Sequence, residues 1–444
     1  MSTPAGAPWR ELVVQIGSSA RLAQALATVG VGVGATTFPL QRLLGWPGLV
    51  GVMAALIVLM AVSFASRRTE TDWRGILPIS LLTFLAWATV SIVWSQYQWA
   101  TLGGVGYLLG FTLIALYIAL MRDTIQIVRV FGDVLRVVLT VSIVMEIFSG
   151  LLIDAPIPLL AIQGHLGVGG PVSGIVATRN QFGLLAIVGA ISFATEHRTR
   201  SVPRQTSVLS LVLAAVCIAF TQSPVVLGTA AVVGVSVVAL FLLRRVRAEH
   251  RRVWQLAVLA LATAGAVVAW IGRSFIVDIL NASGALTYRL ELWNKVFDVV
   301  RLHSLEGWGW VGRWRTELAP FTILTTTSDR PAQSALNGYL DVWLQLGVVG
   351  LAIFVGMLGL AFVRSWLLAG RRRSVVYAWP AAVLVALIVS SLAESSILAE
   401  FGWLTFVICC LKAAQELSWR RALEPMPPSD PAAATGLTAR GSRD

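Results

Sequence analysis

The chain has 444 residues, of which 57% are hydrophobic and only 13% charged, with a mean hydropathy of +0.78. Soluble globular proteins run at roughly 45–50% apolar and about 25% charged, so the composition excludes a soluble enzyme, a secreted disulfide scaffold and a disordered protein, and leaves a polytopic membrane protein. Thirty-four Lys and Arg against 22 Asp and Glu give a formal charge of +12, which basic cytoplasmic loops explain more simply than a nucleic-acid partner.

A spanning helix needs about 20 mostly apolar residues. Twelve runs are candidates: roughly 22–40, 48–65, 76–94, 101–120, 129–151, 180–195, 206–221, 224–243, 254–272, 337–363, 375–393 and 396–413. The first carries Gly30, Gly32 and Gly34, which follow no strand and read as a close-packing surface, not a dinucleotide loop. That run lacks an A-x-A cleavage site and is kept as a helix. Cys217, Cys409 and Cys410 lie inside apolar runs and read as small core residues. The expected fold class is an all-α polytopic membrane protein of about 12 transmembrane helices over 22–413. It lies between a cytoplasmic N-terminus (1–21) and a cytoplasmic tail (414–444), largely disordered and rich in Pro, Ala, Gly and Ser from Glu424 onward.

Orientation follows from charge. With the N-terminus inside, 24 Lys and Arg fall on cytoplasmic segments, while the short outer loops hold only Arg42 and Arg179. The positive-inside rule therefore predicts an even number of spans with both termini cytoplasmic, in the cytoplasmic (plasma) membrane.

Charges within spans are few. Asp133 and Arg136, three apart, read as a neutralised pair with Arg136 snorkelling inward. Glu146, toward the outer end of the same helix, is expected at an outer cavity. No chain of acids crosses the midplane, as a proton-coupled transporter would often show. Polar chemistry gathers instead in 273–336, the only long connection. Residues 289–301 predict an amphipathic helix, with Leu292, Trp293, Val296, Phe297 and Val300 on its apolar face and Glu291, Lys295 and Asp298 on its charged face. Arg289 projects on the apolar side, as an anion clamp or as a first-turn residue touching headgroups. Trp308 and Trp310, in Glu306-Gly307-Trp308-Gly309-Trp310, are suited to stacking on sugars or to the interfacial belt. Asn337, Asp341 and Gln345, four apart, form one polar stripe facing a cavity or a polar partner.

Four features in this order resemble the O-antigen ligase and O-antigen polymerase superfamily, including exopolysaccharide-polymerase relatives, over roughly 76–413. They are Thr178-Arg179-Asn180 opening a central helix; Thr221-Gln222-Ser223-Pro224 before another; Arg289, Trp293, Gly307 and Gly309 as R-x-x-x-W…G-x-G; and Asn337, Leu340, Leu346, Gly347 and Gly350 as N-x-x-L…L-G-x-x-G. The resemblance implies a membrane-embedded glycosyltransferase that polymerises or ligates a polysaccharide, moving a glycan from an undecaprenyl-diphosphate carrier to an acceptor glycan or lipid on the outer face, without metal or cofactor. Arg179 and Arg289 would hold the diphosphate, Asn337 and Asp341 would serve the chemistry, and Trp293, Trp308 and Trp310 would contact glycan. Membrane lipids and polysaccharide assembly proteins are the other expected partners.

Two positions depart from the family pattern. Leu336 stands where a histidine usually precedes the asparagine, and Pro224 where a basic residue usually follows the serine. Diphosphate binding then leans on Arg179 and Arg289, with Arg42 or Arg330 in reserve. Three readings stay open: Asp341 replaces the base; Glu394, Glu400, Glu306 or His303 folds over the site; or the chain binds or moves the carrier lipid, as a flippase or a non-catalytic partner of an assembly complex.

Overall fold

The computed structural model describes residues 17–67, 78–272, 283–325 and 332–416. Arg330, the first sixteen residues and the tail beyond 416 lie outside the described residues, and so does the disorder expected of that tail. Each of the twelve apolar runs coincides with a helix: α1 (Ala20–Ala35), α2 (Thr37–Ala65), α3 (Ile79–Val90), α4 (Gln98–Met121), α5 (Thr124–Ile147), α6 (Arg179–Thr199), α7 (Arg204–Phe220), α8 (Pro224–Arg245), α9 (Arg251–Ile271), α11 (Gly338–Arg371), α12 (Ala378–Ser390) and α13 (Glu400–Glu416). The amphipathic helix is α10 (Ser283–Val300), which begins before the expected 289. Five stretches are long and apolar enough to cross a membrane by length and composition: Thr37–Ala65, Gln98–Met121, Thr124–Ile153, Pro224–Arg245 and Gly338–Arg371. The helices α1, α3, α7 and α12 are apolar but shorter. This all-helical architecture is that of a polytopic membrane protein, with fewer full-length helices than the apolar runs gave.

The bundle centres on α13, buried from Glu400 to Ala414. Lipid tails are as apolar as leucine, so such helices associate through packing and internal hydrogen bonds. Trp403 donates to Thr112 Oγ1 on α4 at 2.9 Å, and Trp379 on α12 donates to Ser192 Oγ on α6 at 2.9 Å. Gly30 meets Ile114 of α4, and Gly34 meets Phe401 of α13, so the GVGVG stretch is a packing surface at these two glycines. The three cysteines are buried. Arg136 joins a triad in place of the expected pair. It donates to Asp133 at 2.9 Å, to Glu196 of α6 at 2.6 Å and to Ser210 of α7 at 2.7 Å. Glu146 is buried, and its carboxylate accepts the Ser173 and Gly174 amides.

One break sets the architecture of the loop face, the face that carries the connection from α10 to α11. Gly347 interrupts α11 at φ 67°, ψ −174°, which frees carbonyls and amides that a membrane helix must satisfy elsewhere. The Leu344, Gln345 and Leu346 carbonyls accept from Trp308 N, Gly309 N and Trp87 Nε1, at 3.1, 2.9 and 3.0 Å. The Val348 amide donates to Ser304 O at 2.9 Å. Residues 304–309 thus fill the gap in the helix. The approach is so close that a Cβ on Gly347 would stand 2.0 Å from Leu305 O, and one on Gly307 (φ 73°) 2.5 Å from Gln345 O.

Gly347→Ala therefore forces the segment off the break. Left-handed strain and overpacking together cost roughly 2–5 kcal/mol, and detergent-solubilised Gly347→Ala is expected to melt well below the parent by tryptophan fluorescence. Gly356→Ala, whose added Cβ meets nothing within 4 Å, is the matched control and should melt with the parent.

Candidate functional site

Three of the sequence motifs are helix starts. Thr178 caps α6 by accepting from Gln181 N, Ser223 caps α8 by accepting from Val226 N, and Asn337 caps α11 by accepting from the Tyr339 and Leu340 amides. Pro224 occupies the first turn of α8, where its missing N–H is not needed. Side chains link these starts. Ser223 Oγ donates to Asn180 Oδ1, and Asn180 Nδ2 donates to Glu394 Oε1. The Gly338 amide donates to the carbonyls of Ser391 and Glu394, and Asn337 Nδ2 donates to Leu392 O. The turn between α12 and α13 is thereby held among the N-termini of α6, α8 and α11, where helix dipoles favour negative charge.

Beside this turn lies a cavity of about 960 Å³, lined by Thr178 and Arg179 of α6, Tyr288 and Arg289 of α10, Glu394 and Glu400 among others. Arg289 donates from Nη2 to Glu394 Oε1 at 3.1 Å and from Nε to Ala393 O at 3.3 Å. Arg179 Nη1 donates to Gln222 O at 3.3 Å. The two arginines therefore share one hollow, with Glu394 bonded to one and within the electrostatic reach of the other. Burial pushes the Glu394 carboxyl up from the ordinary carboxylate range, while the Arg289 charge, the Asn180 hydrogen bond and Arg179 pull it back. The described hydrogen bonds to this carboxylate all fall on Oε1. The far wall is a second pair, Arg313 to Glu400 at 2.8 Å, with Tyr107 donating to the other Glu400 oxygen at 3.2 Å. Arg42 and Arg179 also line the hollow, and among the described residues neither has a carboxylate partner.

Ala177, Leu336 and Glu400, which line the cavity, and Gln222, which holds Arg179, have φ between 45° and 72°. Left-handed backbone costs non-glycine residues of order 1–3 kcal/mol and gathers where a fixed geometry is needed. Leu336, directly before the Asn337 cap, is one of them.

Asp341 of the Asn337 stripe lines the same cavity, and the stripe also holds the incoming loops. Asp341 is 1% exposed, and both its oxygens are committed, Oδ1 to Trp314 Nε1 and Gln345 Nε2, Oδ2 to the Ala335 amide. Gln345 Oε1 accepts the Val311 and Gly312 amides. The stripe is a post on which the incoming loops hang, and it fixes the segment that carries Arg313. Trp293 and Trp308 are half-buried, their N–H groups given to Ala335 O and Val299 O, and neither lines the cavity. Trp310 is 1% exposed, edge-on to Phe84. On α10, Leu292, Val296 and Val300 are buried as the periodicity predicts, and Val299 with them; Phe297 is 40% exposed, beside Trp343. The Arg313–Glu400 pair was not read from sequence. The signal for it was an arginine at the end of a Gly/Trp run and an acid opening an apolar run.

No curated protein matches the chain. A family model described as O-antigen ligase matches residues 209–355, which hold Ser223, Arg289, both glycines of the G-x-G and the whole Asn337 stripe, with Arg179, Glu394 and Glu400 outside the matched stretch, and the match bears out the chain's resemblance to the O-antigen ligase-like superfamily.

Proposed function

We propose that the chain is a membrane glycosyltransferase of the O-antigen ligase/polymerase kind. It takes a glycan from an undecaprenyl-diphosphate carrier on the outer face of the plasma membrane, with Arg179 and Arg289 gripping the diphosphate and Glu394 as general base. The family match supports the class of enzyme. The observation that carries the finer reading is that Arg179, Arg289 and Glu394 line one cavity at the starts of capped helices.

The chemistry needs little else. An acceptor hydroxyl gives its proton to Glu394, its oxygen bonds to the anomeric carbon, and the bond from that carbon to the diphosphate breaks, the electron pair leaving on the diphosphate. Negative charge grows on the leaving group, and fixed guanidinium groups lower that barrier. A base must lie within hydrogen-bond reach of the hydroxyl and ionise near working pH; burial moves Glu394 in that direction. Its Oε2 is the oxygen left for the acceptor. Diphosphate arriving at Arg289 draws the guanidinium away from Glu394. That raises the basicity of the carboxylate when the donor is in place. In this reading Asp341 and Asn337 position the loops, and the place of the missing histidine is taken by the acid from the α12–α13 turn.

The direct test is to incubate the purified protein with short undecaprenyl-diphosphate-linked oligosaccharides and follow longer products by mass spectrometry. Arg289→Ala and Arg179→Ala are each expected to slow transfer by roughly 10²–10³, and Glu394→Gln by about 10²–10⁴. Glu394→Gln should also bind the donor more tightly, since it frees Arg289. Binding without any elongation by the parent protein would assign it instead to a non-catalytic partner. Asp341→Asn separates post from base: it should lower the melting temperature and the rate together, whereas a rate loss at unchanged melting would return the base to Asp341.

The pH profile gives an independent check. Transfer needs ionised Glu394, so the rate falls as pH drops through its pKa. Because burial raises that pKa, the acid limb of kcat/KM should lie above the ordinary glutamate value of about 4.3. Arg289→Gln removes the largest opposing charge and should move the limb of the residual activity higher still. A limb at the ordinary value in both proteins would remove Glu394 from the mechanism.

A further inference from the structure

The three helices whose starts surround the α12–α13 turn, α6, α8 and α11, also end together, at the opposite end of the bundle. Arg198 in the last turn of α6 and Arg244 in the last turn of α8 both lie 5.5 Å from the centroid of one ring, Phe241. Arg244 Nη2 donates to the carbonyls of Arg372, Arg373 and Ser374, the residues that follow α11, at 2.6, 2.8 and 2.7 Å. The start of α9 closes the group. Gln255 Nε2 stands 3.9 Å from where a Gly370 Cβ would be, and Arg251 Nη2 donates to Val246 O at 3.4 Å.

A helix C-terminus favours a nearby cation, and Arg244 meets that need for the turn after α11. The arginines present exceed it. Residues 244–252 hold five and 371–373 three, against one acid, Glu249. Glu196, two residues before Arg198, is already given to Arg136. Among the described residues neither Arg198 nor Arg244 has a carboxylate partner. Each is drawn to the ring by its π face, but their mutual repulsion is left for a counter-anion to relieve. Away from this end the surface turns apolar. Val235, Val238 and Leu242 form an exposed stripe on α8, and Leu256 and Leu259 another on α9, which packs on α8. From Arg245 back to Val235 the helix runs about 15 Å at 1.5 Å per residue, half of the roughly 30 Å hydrocarbon core. Trp254, in the first turn of α9, is exposed where an indole suits the interface. An apolar surface one leaflet deep that ends in surplus guanidinium groups fits a phospholipid, since arginine grips phosphate oxygens bidentately and basic pockets between membrane helices take multiply charged headgroups.

We propose that this end of the bundle is a binding site for an anionic phospholipid of the bilayer. Its phosphates are set against Arg198, Arg244 and the arginines after α11, and its acyl chains lie along α8 and α9. A headgroup with two phosphates fits best, because it can span from the pair at Phe241 to the segment 371–373. The site is separate from the transfer reaction and does not depend on it.

Native mass spectrometry of the delipidated full chain in detergent tests this, with cardiolipin, phosphatidylglycerol and phosphatidylcholine as probes. The parent should retain one cardiolipin roughly tenfold more tightly than phosphatidylcholine, with phosphatidylglycerol between them; equal retention of all three would overturn the site. Arg198→Gln/Arg373→Gln takes away two exposed guanidinium groups and should weaken cardiolipin roughly tenfold. Arg21→Gln/Arg129→Gln removes the same charge from exposed positions elsewhere and should bind as the parent does; equal loss in both double variants would reduce the effect to net charge and overturn the placement. A ligand of the folded bundle also raises its melting temperature. Cardiolipin should therefore raise that of the parent and of Arg21→Gln/Arg129→Gln, and raise that of Arg198→Gln/Arg373→Gln much less. The shift is read against each protein's own lipid-free value, so a variant that starts less stable still reports, and an undiminished shift in Arg198→Gln/Arg373→Gln would again overturn the placement. Inorganic pyrophosphate supplies the charge without the chains, and octaglutamate the charge of an acidic protein segment. Neither should displace cardiolipin at equal concentration; displacement by either would overturn a lipid as the ligand.

Discussion

The loop face depends on the seating of residues 304–309 in the break of α11. Opening a membrane helix leaves backbone groups that lipid cannot satisfy, and the segment supplies those partners on both sides of Gly347. Once it is seated, the chain beyond it has little freedom. Gln345 binds the amides of Val311 and Gly312, and Asp341 holds Trp314 and Ala335. Arg313, between these anchors, is delivered to Glu400. The G-x-G and L-G-x-x-G patterns therefore record one backbone-to-backbone contact, and their meaning is architectural. They fix where the cations stand.

Electrostatics on that face is built in layers. The first turns of α6, α8 and α11 are capped by side chains, and these three helix N-termini face the same region. Guanidinium groups are added to these dipoles and then partly neutralised. Glu394 takes Arg289 and Glu400 takes Arg313, while Arg179 and Arg42 have no carboxylate partner among the described residues. A site fully paired with carboxylates would have no field left for an anion, and one with four bare arginines would repel itself. Two paired and two free cations allow an incoming diphosphate to exchange partners with Arg289, which is the step that links donor binding to the basicity of Glu394 in the proposed reaction.

Much of this was legible in the sequence, for reasons that differ from residue to residue. Long apolar runs announce helices because a hydrocarbon environment permits little else, and all twelve are helical, although among the described residues five are both long and apolar enough to cross a membrane. Arg289 was readable because a charge on the apolar side of an amphipathic helix must be aimed at something polar. Asp341 was readable as a buried acid, and it both lines the cavity and binds Trp314, Gln345 and the Ala335 amide; periodicity carries no sign of these bonds. The tryptophans illustrate the same limit, since an indole N–H serves a sugar or a carbonyl equally well: Trp293 and Trp308 donate to carbonyls, while the buried Trp310 Nε1 has no hydrogen-bond partner among the described residues. The triad at Arg136 and the pair at Arg313 join residues 60 and 87 positions apart. No local pattern encodes such contacts; only the packing of α5 on α6 and of the loop on α13 creates them.

The place of Glu394 in the proposed reaction is best weighed through the same geometry. Leu336 lies two residues before Gly338, and the Gly338 amide donates to the carbonyl of Glu394 itself. The start of α11 and the turn before α13 are thus neighbours joined by backbone, and a proton acceptor placed on either reaches the same corner of the cavity. A base can move between them without rebuilding the site, provided the new one is buried enough to be basic and tethered enough to be still. Glu394 meets both conditions, with 13% of its side chain exposed and Oε1 held by Asn180 and Arg289. Leucine at 336 is then free to serve as apolar lining, and its left-handed backbone keeps the turn into Asn337 tight enough for the cap that fixes α11.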